Sequence, residues 1–445
     1  MSVFHSYDIR GLYPEQITPS FAYKLACAYA DQYLPKTMVV AHDTRNGTKQ
    51  ITQSLVDGFI DSGVKVTTIG LATTPQFYFA INHFNTDGGI IVTASHNPKE
   101  YLGFKICKEK AIPIGYDTGL DKLEKRMQTM AFPRTPEVKG ELHTKSVHKE
   151  YLDFLLPFAS SIQPIKAAFD PGNGTIGVVL PYLLENIEMD SQIIHEKPNG
   201  NFPNRSPNPF EPEALKKIQA YVHEQNAQIG FAYDGDGDRV VVLDEHGDVI
   251  PPSATFLMIC GSLIDSQIAQ EELFLHDLRM SAFVPEWLKS KGFSTDVTRV
   301  GHTHIKTAMR KTNAICAGEQ SGHYYFRDAF YTDNALLATI HILRYVSVRH
   351  QPVSQLVEEL IRYESSGEVN LRVNDTKRAI SVVEDSFVQA KKVLKLDGIS
   401  LYFDDHWFNV RASNTEPLLR INVEADDEQI LEKTLHQLKD LLHDC

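Results

Sequence analysis

Apolar and polar positions along the chain follow a pattern that occurs three times. Each copy starts with a short apolar strand that ends in aspartate, followed by a turn, a segment with helical spacing and a second strand. Because strands alternate with helical segments, the pattern predicts βαβ units with parallel pairing. The strands are continuous apolar runs, which suits sheets covered on both faces. The aspartates that end the first strands are Asp43, Asp170 and Asp277.

After an interval, each copy has a third strand that runs into a polar loop. The three loops are TASHNP (93–98), DGDGDR (234–239) and GEQSGH (318–323). Ligands of open α/β sheets bind beyond the carboxyl ends of the strands. Since the loops occupy matching places in the repeat, we expect them to face one common cleft.

The repeat stops before the last part of the chain, where a helix and two strands are followed by the polar loop RASNTEP (411–417) and an amphipathic helix. A stretch at 197–213 holds five prolines and predicts an extended loop. We therefore expect an α/β protein of three similar α/β domains with mixed sheets and a smaller α+β C-terminal domain, around a central cleft. The expected domains are residues 1–143, 144–251, 252–366 and 367–445.

Composition narrows the class of protein. Lys and Arg number 44 against 57 Asp and Glu, a net charge of −13, which argues against a nucleic-acid or membrane partner but allows a locally basic cleft. No apolar run approaches about 18 residues and the N-terminus lacks an apolar signal region, so no membrane span is expected. The cysteines are widely spaced and never form CxxC pairs, which favours a reducing, cytoplasmic location. They are Cys27, Cys107, Cys260, Cys316 and Cys445.

The first polar loop offers a candidate nucleophile. Ser95 lies in a tight turn directly after a buried strand, a place that can hold a serine exposed for reaction. The alternative is a serine that only caps the turn. Lys105, ten residues on, could balance phosphate charge or simply lie on the surface.

The second loop offers a candidate metal site. Asp234, Asp236 and Asp238 alternate with small residues, and carboxylates spaced in this way can converge on one hard cation such as Mg²⁺. Arg239 beside them could bind phosphate. The alternatives are a solvated hairpin without metal and a calcium-binding EF-hand with Glu245 at the twelfth position, although Arg239 then occupies the sixth position, where that loop needs Gly.

The third and fourth loops carry polar groups suited to a phosphosugar. Acceptors and donors in GEQSGH could distinguish sugar hydroxyls, and guanidinium, hydroxyl and amide groups around RASNTEP could bind phosphate. In both cases an ordinary polar loop is the alternative. The candidates are Glu319, Gln320, Ser321 and His323 in the third loop, and Arg411, Ser413, Asn414, Thr415 and Arg420 in the fourth.

Two further motifs allow other functions. GNGTIG (172–177) fits the dinucleotide pattern GxGxxG, with Glu196 as a possible ribose ligand. His302 and His304 in GHTH could form a zinc pair, although no third His or Cys is obviously placed; phosphate or hydroxyl contact by His302 is the other reading.

The order of the four loops in one chain resembles the α-D-phosphohexomutase superfamily. YDIRG (7–11) and VGHTHIK (300–306) add to the resemblance, which spans essentially the whole chain. The closer match, carried by FPNRSPNP, HYYFRD and RASNTEP, is to bacterial phosphomannomutase/phosphoglucomutase. The resemblance implies four domains around one cleft.

The resemblance also implies roles for the candidate residues. Ser95 would be a phosphoserine, and its phosphate would hold one Mg²⁺ together with the three aspartates. Arg10, Lys105, Arg239 and His302 would surround the transferring phosphoryl group; Arg10, Lys105 and His302 are candidates for the general base. Hydroxyl recognition would fall to Glu319, Ser321 and His323, and phosphate binding to Arg411, Ser413, Asn414, Thr415 and Arg420.

The implied reaction interconverts hexose 1-phosphate and 6-phosphate through a hexose 1,6-bisphosphate, which would also be the activator. Mannose is the expected first sugar, with glucose also accepted, and the enzyme would be a monomer or dimer. Leu102 departs from the Asn usual in the family and places the geometry of the serine loop in question. Gln320 is similar to the phosphoglucosamine mutase form of its loop, which leaves that enzyme as the alternative.

Overall fold

The computed structural model describes residues 2–129, 138–412 and 418–443. Within these ranges no helix combines the length and apolar character needed to cross a membrane. The described residues form four sheets, one for each predicted domain.

The first domain has a six-stranded sheet in the order β1-β5-β4-β2-β3-β6. Four of its strands pair in parallel, and β5 and β1 join antiparallel at one edge. The strands are β1 (Ile9–Leu12), β2 (Thr37–His42), β3 (Lys65–Leu71), β4 (Gly88–Val92), β5 (Tyr101–Lys108) and β6 (Leu142–Thr144), and the helices are α1 (Pro19–Tyr33), α2 (Thr48–Asp61), α3 (Thr74–His83) and α4 (Leu120–Thr129).

The second domain has a four-stranded sheet in the order β10-β9-β7-β8, parallel except for β10. Residues 197–211 form the predicted extended loop, without helix or strand, before α7 begins. The elements are α5 (His148–Ala159), β7 (Lys166–Asp170), α6 (Leu180–Leu184), β8 (Asp190–Ile193), α7 (Pro212–Gln225), β9 (Ile229–Tyr233) and β10 (Val240–Leu243).

The third domain has a five-stranded mixed sheet in the order β12-β11-β13-β14-β15. Its helices are α8 (Pro252–Asp265), α9 (Phe283–Ser290), α10 (His302–Thr312), α11 (Ala335–Ser347) and α12 (Val353–Glu358). Its strands are β11 (Leu273–Asp277), β12 (Ser294–Thr298), β13 (Cys316–Gly318), β14 (Tyr324–Phe326) and β15 (Thr332–Asp333).

The threefold repeat is confirmed in the topology. Four strands have the same spatial order in each domain, β5-β4-β2-β3, β10-β9-β7-β8 and β14-β13-β11-β12. The strand that comes first in the sequence of each set ends at or next to the repeated aspartate. β7 ends at Asp170 and β11 at Asp277, and β2 ends one residue before Asp43. The three polar loops therefore follow equivalent strands.

The fourth domain differs from the expectation of two strands. It is a five-stranded antiparallel sheet in the order β16-β20-β19-β18-β17, with two helices packed on it. The boundaries between the four domains stay predictions. The elements are β16 (Glu364–Arg372), α13 (Thr376–Ser386), β17 (Lys392–Leu394), β18 (Ile399–Tyr402), β19 (His406–Ala412), β20 (Leu418–Ala425) and α14 (Glu428–Leu442).

Candidate active site

Ser95 lies in the connection between β4 and β5, at the end of a fully buried strand. Its backbone has φ of 51°, a left-handed conformation that a serine adopts only when its surroundings hold it there. The side chain was expected to be exposed, but the residue is 1% exposed. The reason is that Ser95 Oγ turns inward and donates to Asp234 Oδ2 at 2.9 Å.

The three aspartates converge, as the sequence predicted. Ligand atoms of Asp234, Asp236 and Asp238 all lie within 4.8 Å of one another, and all three residues are buried. The turn is organised by Asp234 Oδ1, which accepts the N–H groups of Gly237, Asp238 and Arg239 at 3.0, 3.1 and 3.2 Å. Within the described part of the chain, Asp236 Oδ1 and Asp238 Oδ1 are buried without a hydrogen-bond partner.

Such a donor set fits a small divalent cation. Carboxylate oxygens from three residues are the hard ligands that Mg²⁺ prefers, and one of them, Asp236 Oδ1, is buried without a hydrogen-bond partner in the described chain. Thr74 Oγ1, at the start of α3, donates to Asp236 Oδ2 at 2.7 Å and orients that carboxylate. Three buried negative charges this close are otherwise costly, so the site is built to hold positive charge.

Lys105 supplies part of that positive charge. It extends from β5, with Nζ 2.7 Å from Asp236 Oδ2, and it also contacts Asp238. Burial raises the pKa of Asp234 well above its ordinary value, and the charges of Asp238 and Asp236 add to this effect. Burial alone would raise the pKa of Asp238 too, but Lys105 and His323 outweigh it and hold that pKa well below the ordinary range.

Glu319 and His323 form a second charged group opposite the aspartates. Tyr325 donates to Glu319 Oε2 at 2.6 Å, and His323 Nδ1 lies 3.2 Å from the same oxygen. His323 Nε2 lies 3.3 Å from Asp238 Oδ1. Burial and Arg239 would lower the pKa of His323, but the carboxylates of Asp238 and Glu319 prevail and raise it to about 9. The two carboxylates therefore favour the protonated form of His323.

A cavity of about 390 Å³ lies between the first three loops. Ser95 Oγ lies 3.4 Å from His96 Nδ1, and Asp238 Oδ1 lies 3.3 Å from His323 Nε2, both of which belong to residues that line the cavity. Residues of the first three polar loops line this one cavity, in agreement with the expected common cleft. The lining includes Arg10, His96, Asn97, Arg239, His302, Glu319, Ser321 and His323.

Arg10 and His302 reach this cavity from two domains. Arg10 in β1 is held by Asp8 Oδ2 at 2.6 Å and also contacts Asn97. His302 begins α10, and neither of its ring nitrogens has a hydrogen-bond partner within the described residues. Burial lowers the pKa of His302 well below its ordinary value, and the nearby Lys306 and Lys105 lower it further. His302 is therefore neutral at physiological pH.

The predicted phosphate site in the fourth domain is described only in part. Ser413, Asn414 and Thr415 lie outside the described residues. Arg411 Nη2 lies 2.6 Å from Glu368 Oε2, and Arg420 Nη1 lies 3.2 Å from Glu368 Oε1. These two arginines on β19 and β20 are thus side by side.

Several site residues were missed by the sequence analysis. Asp8 and Asn97 belong to motifs that were recognised, and Tyr325 follows GEQSGH by two residues. Arg279 lies two residues after the strand-ending Asp277 and is 3.3 Å from Glu319 Oε1. A signal existed for Arg279, because the same D-x-R spacing occurs at Asp43 in the first repeat.

The structure disfavours the alternative motifs. DGDGDR connects the antiparallel strands β9 and β10, whereas an EF-hand loop connects helices. In GNGTIG the N–H groups of Asn173, Gly174 and Thr175 already donate to backbone carbonyls, so they are not free to bind a pyrophosphate. The acidic and histidine clusters that could hold a metal in the described chain do not include His302 or His304.

The two departures from the family pattern have structural explanations. Leu102 is fully buried in the apolar core of the first domain, where its side chain packs away from solvent. Gln320 accepts a hydrogen bond from Ser253 Oγ at 3.4 Å and is not among the described residues that line the cavity.

Comparison with known proteins identifies the family. Four models match the chain in order, described as phosphoglucomutase/phosphomannomutase alpha/beta/alpha domains I, II and III at residues 1–134, 149–247 and 252–363, and the C-terminal domain at 368–441. A phosphomannomutase of Salmonella typhimurium is 34% identical over 454 residues, covering 100% of this chain and 99% of the relative. A phosphomannomutase of Methanocaldococcus jannaschii is 34% identical over 447 residues, covering 99% and 98%.

A solved structure agrees with these matches. A phosphoglucomutase/phosphomannomutase family protein from Burkholderia thailandensis superposes with a TM-score of 0.91 at 28% identity, covering 99% of this chain and 96% of that one. The fold and the buried site define an enzyme that moves a phosphoryl group within a phosphosugar, an isomerase of the phosphohexomutase class. More particularly, the chain belongs to the phosphoglucomutase/phosphomannomutase family.

Proposed function

We propose that the enzyme interconverts mannose 1-phosphate and mannose 6-phosphate, with glucose phosphates as second substrates, through a phosphoserine at Ser95 and a hexose 1,6-bisphosphate. The observation that carries this proposal is the position of Ser95 Oγ, 2.9 Å from Asp234 Oδ2 and 3.4 Å from His96 Nδ1, at a cavity that three domains line. A serine that only capped a turn would not need three buried carboxylates around it.

The phosphoryl group moves twice in the proposed cycle. First the bond from phosphorus to Ser95 Oγ breaks, a bond to the free sugar hydroxyl forms, and the hydroxyl proton leaves. The resulting bisphosphate turns around within the cleft. The bond between its other phosphorus atom and the sugar oxygen then breaks, a bond to Ser95 Oγ forms, and the sugar oxygen takes back the proton. This restores the phosphoserine and releases the product. A trace of hexose 1,6-bisphosphate would activate enzyme whose Ser95 carries no phosphate.

We propose Mg²⁺ as the cation of the acidic site. Asp234, Asp236 and Asp238 would hold it together with the Ser95 phosphate, because their buried oxygens offer the hard ligands that this ion prefers. When bound, Mg²⁺ supplies charge neutralisation at the phosphoryl oxygens, which is the main requirement of phosphoryl transfer.

Cationic side chains supply the remaining charge neutralisation. Lys105 lies beside the aspartates, Arg239 Nε lies 3.2 Å from His323 Nε2, and Arg10 enters from the first domain. These groups surround the place where a phosphoryl group on Ser95 would lie. Glu319 and Ser321 border the same cavity with acceptors and a hydroxyl, and we propose that they bind the sugar hydroxyls.

Among the three candidates for the general base, we propose His302. Arg10 and Lys105 are ion-paired, and their carboxylate partners raise the pKa of each above its ordinary value despite burial, so neither releases a proton readily. His302 is neutral, borders the cavity and has ring nitrogens without partners in the described chain. A neutral imidazole can accept the proton of the attacking hydroxyl.

The fourth domain would bind the phosphate that does not react. Arg411 and Arg420 provide guanidinium groups side by side, suited to a phosphate dianion, and the loop with Ser413, Asn414 and Thr415 would complete the site. The same group must bind the 1-phosphate in one half of the cycle and the 6-phosphate in the other.

The sugar assignment rests on relatives and on one contact. The similar proteins from Salmonella typhimurium and Methanocaldococcus jannaschii bear the name phosphomannomutase. Gln320, the residue that favoured phosphoglucosamine mutase, points to Ser253 and so has little weight in sugar selection. We therefore keep mannose first, with phosphoglucosamine mutase as the alternative.

The proposal is tested by ³¹P NMR of the purified enzyme with Mg²⁺, a trace of hexose 1,6-bisphosphate and one sugar 1-phosphate per sample. We expect conversion to the 6-phosphate, fastest with mannose, slower with glucose and slowest with glucosamine. Ser95→Ala is the control and should lose nearly all turnover, because the covalent carrier of the phosphoryl group is gone. Wild-type turnover in that variant would refute the phosphoserine, and fastest turnover of glucosamine 1-phosphate would overturn the sugar assignment.

We further propose a cytoplasmic enzyme, monomeric or dimeric, whose partner is its phosphosugar rather than a nucleic acid or a membrane. Four cysteines in the described chain, Cys27, Cys107, Cys260 and Cys316, are buried and free of disulfides, as suits a reducing compartment.

A further inference from the structure

A buried arginine donates hydrogen bonds to the backbone of the serine loop. Arg45 lies two residues after Asp43 and is 2% exposed. Its Nη2 donates to the carbonyl oxygens of Ser95 and Asn97 at 2.6 and 2.5 Å. Its Nη1 donates to the carbonyl oxygens of Pro98 and Tyr101 at 2.7 and 3.2 Å. One guanidinium thus binds three backbone carbonyls of the loop that carries the nucleophile and the carbonyl of Tyr101, the first residue of β5.

Asp43 orients this arginine. Asp43 Oδ1 accepts the backbone N–H of Arg45 at 2.8 Å, and Asp43 Oδ2 lies 3.2 Å from Arg45 Nε. From the second domain, the Phe202 ring lies 5.2 Å from the guanidinium carbon. A buried guanidinium is retained only where acceptors compensate the loss of water, so this arrangement is specific for arginine.

The third domain has the same arrangement. Asp277 Oδ1 accepts the backbone N–H of Arg279 at 2.7 Å, and Asp277 Oδ2 lies 2.5 Å from Arg279 Nη2. That same nitrogen is 3.3 Å from Glu319 Oε1, in the third polar loop. Arg279 therefore contacts the polar loop of its own repeat, as Arg45 does.

The second domain obtains its arginine from elsewhere. The position equivalent to Arg45 is Gly172, and the guanidinium there belongs to Arg205 in the proline-rich loop, with Nε 2.7 Å from Asp170 Oδ2. Arg205 Nη2 donates to the carbonyl of Tyr233 at 2.7 Å, directly before Asp234. A Cβ on Gly172 would lie 2.3 Å from the Arg205 guanidinium carbon, so only glycine leaves room for it.

The serine loop needs this support more than the other two. Ser95 has positive φ, a conformation that costs roughly 1–3 kcal/mol and persists only where surrounding contacts impose it. The Arg45 hydrogen bond to the Ser95 carbonyl fixes the peptide that follows this residue. Leu102 cannot contribute to the support, because it packs in the apolar core.

We propose that Arg45 is a positioning residue for phosphoryl transfer, which holds the Ser95 loop by its carbonyls. Arg205 supports the aspartate loop through the Tyr233 carbonyl, and Arg279 supports the glutamate loop through the Glu319 carboxylate. The proposal rests on the proposed role of Ser95. Arg45 acts on the nucleophile through the backbone and has no described contact with the sugar-binding side chains, so its loss alters the rate of transfer rather than sugar binding.

The test is the rate at which hexose 1,6-bisphosphate phosphorylates Ser95 in the full-length enzyme, followed by intact-protein mass spectrometry. Arg45→Lys keeps the charge but cannot bind four carbonyls. We expect phosphorylation and kcat to fall about 100-fold, as misplacement by about 1 Å can cause. The KM for mannose 1-phosphate should change by less than about threefold, since sugar binding is retained. Added guanidinium should restore part of the rate to Arg45→Ala.

Two controls separate the possible outcomes. Arg349→Lys changes an arginine that pairs with Asp265 at 2.9 Å outside the active loops, and should have no effect on either rate. A normal phosphorylation rate in Arg45→Lys while Ser95→Ala is inactive would refute the positioning role alone. Wild-type turnover in Ser95→Ala would refute the proposed function and, with it, this inference. Loss of melting temperature in Arg45→Ala without guanidinium rescue would assign Arg45 a purely structural role.

Discussion

The first three domains share one apolar core, whereas the fourth domain has an apolar core of its own. One apolar cluster runs through the first three and includes Phe77, Phe169 and Phe256, one from each domain, all at 0% exposure. We call this cluster, which extends from Val39 to Leu360, the shared core. The fourth domain has its own smaller cluster between Val373 and Leu442, the fourth-domain core.

The described contacts between the two regions are largely polar. Glu424 Oε2 accepts the Ala282 N–H at 2.9 Å. Arg279 Nη1 lies 3.9 Å from Glu368. Polar interfaces of this kind allow relative domain motion more readily than apolar ones. We propose on this basis that the phosphoryl transfer takes place on the first three domains, while the fourth domain binds the other phosphate and can move.

The largest expected effect concerns the rigid unit. Asp236→Asn should lower kcat by on the order of 10²–10³-fold, because it removes a carboxylate that would hold the proposed cation, whose positive charge stabilises the transferring phosphoryl group. The dependence of rate on Mg²⁺ concentration should shift to higher concentration. Steady-state kinetics across a Mg²⁺ series measures both quantities. An unchanged Mg²⁺ dependence would remove Asp236 from the metal site.

The two cores can be compared directly by removing one ring from each. Phe169 and Phe408 are both fully buried, so Phe169→Ala and Phe408→Ala should each cost about 3–5 kcal/mol. We expect Phe169→Ala to lower the unfolding temperature of the first three domains together, and Phe408→Ala to affect a separate transition of the fourth domain. Differential scanning calorimetry shows the transitions. A single transition that shifts equally in both variants would contradict the comparison.

Much of this organisation was predictable from the sequence. The threefold repeat, the three loops and the acidic site follow from apolar runs that end in polar residues, because strand order places such ends at one edge. Lys105 was named from its place ten residues after Ser95 and from the family resemblance, and its Nζ lies 2.7 Å from Asp236 Oδ2. The C-terminal helix α14 was predicted from its apolar spacing, and Leu438 and Leu442 are buried in it.

Other features depend on contacts that sequence spacing does not carry. Arg205 takes the place of a repeat arginine only because a distant loop folds over Gly172. The extra strands of the fourth domain are short or mostly exposed, as in β16 and β17, so alternation was too weak to predict them. Glu368, which pairs with Arg411, lies on such a strand. The inward turn of Ser95 follows from the distant Asp234.

The fourth domain should affect binding more than chemistry. Arg411→Ala removes a guanidinium from the proposed phosphate site, so KM for mannose 1-phosphate should rise roughly 10- to 100-fold while kcat falls much less. Arg378→Ala, an exposed arginine on α13 of the same domain, is the matched control and should leave both constants unchanged. A loss confined to kcat would show that Arg411 acts in the transfer step instead.

The smallest effect concerns pH and again separates the two regions. His341 is buried in the third domain, where the centre of its ring lies 5.3 Å from the centre of the Phe326 ring. In the fourth domain, His406 and His436 are not buried. Burial lowers the pKa of His341 to about 3, and the charge of Arg344 contributes. The folded protein therefore keeps this imidazole neutral at pH values where the unfolded chain, with a pKa near 6.5, binds a proton.

Stability from this histidine is complete above about pH 6.5 and is lost as pH falls toward 3, by about 1.4 kcal/mol at pH 5.5. Urea unfolding at pH 7.5 and 5.5 measures the loss, and His341→Gln, which can keep the hydrogen bond to Ser262, is the comparison. The wild type should lose more stability than the variant by about that amount. Since the effect belongs to the shared core, acid should weaken the first three domains while the fourth-domain transition stays in place. Equal pH dependence in wild type and variant would show that His341 gains its proton without unfolding.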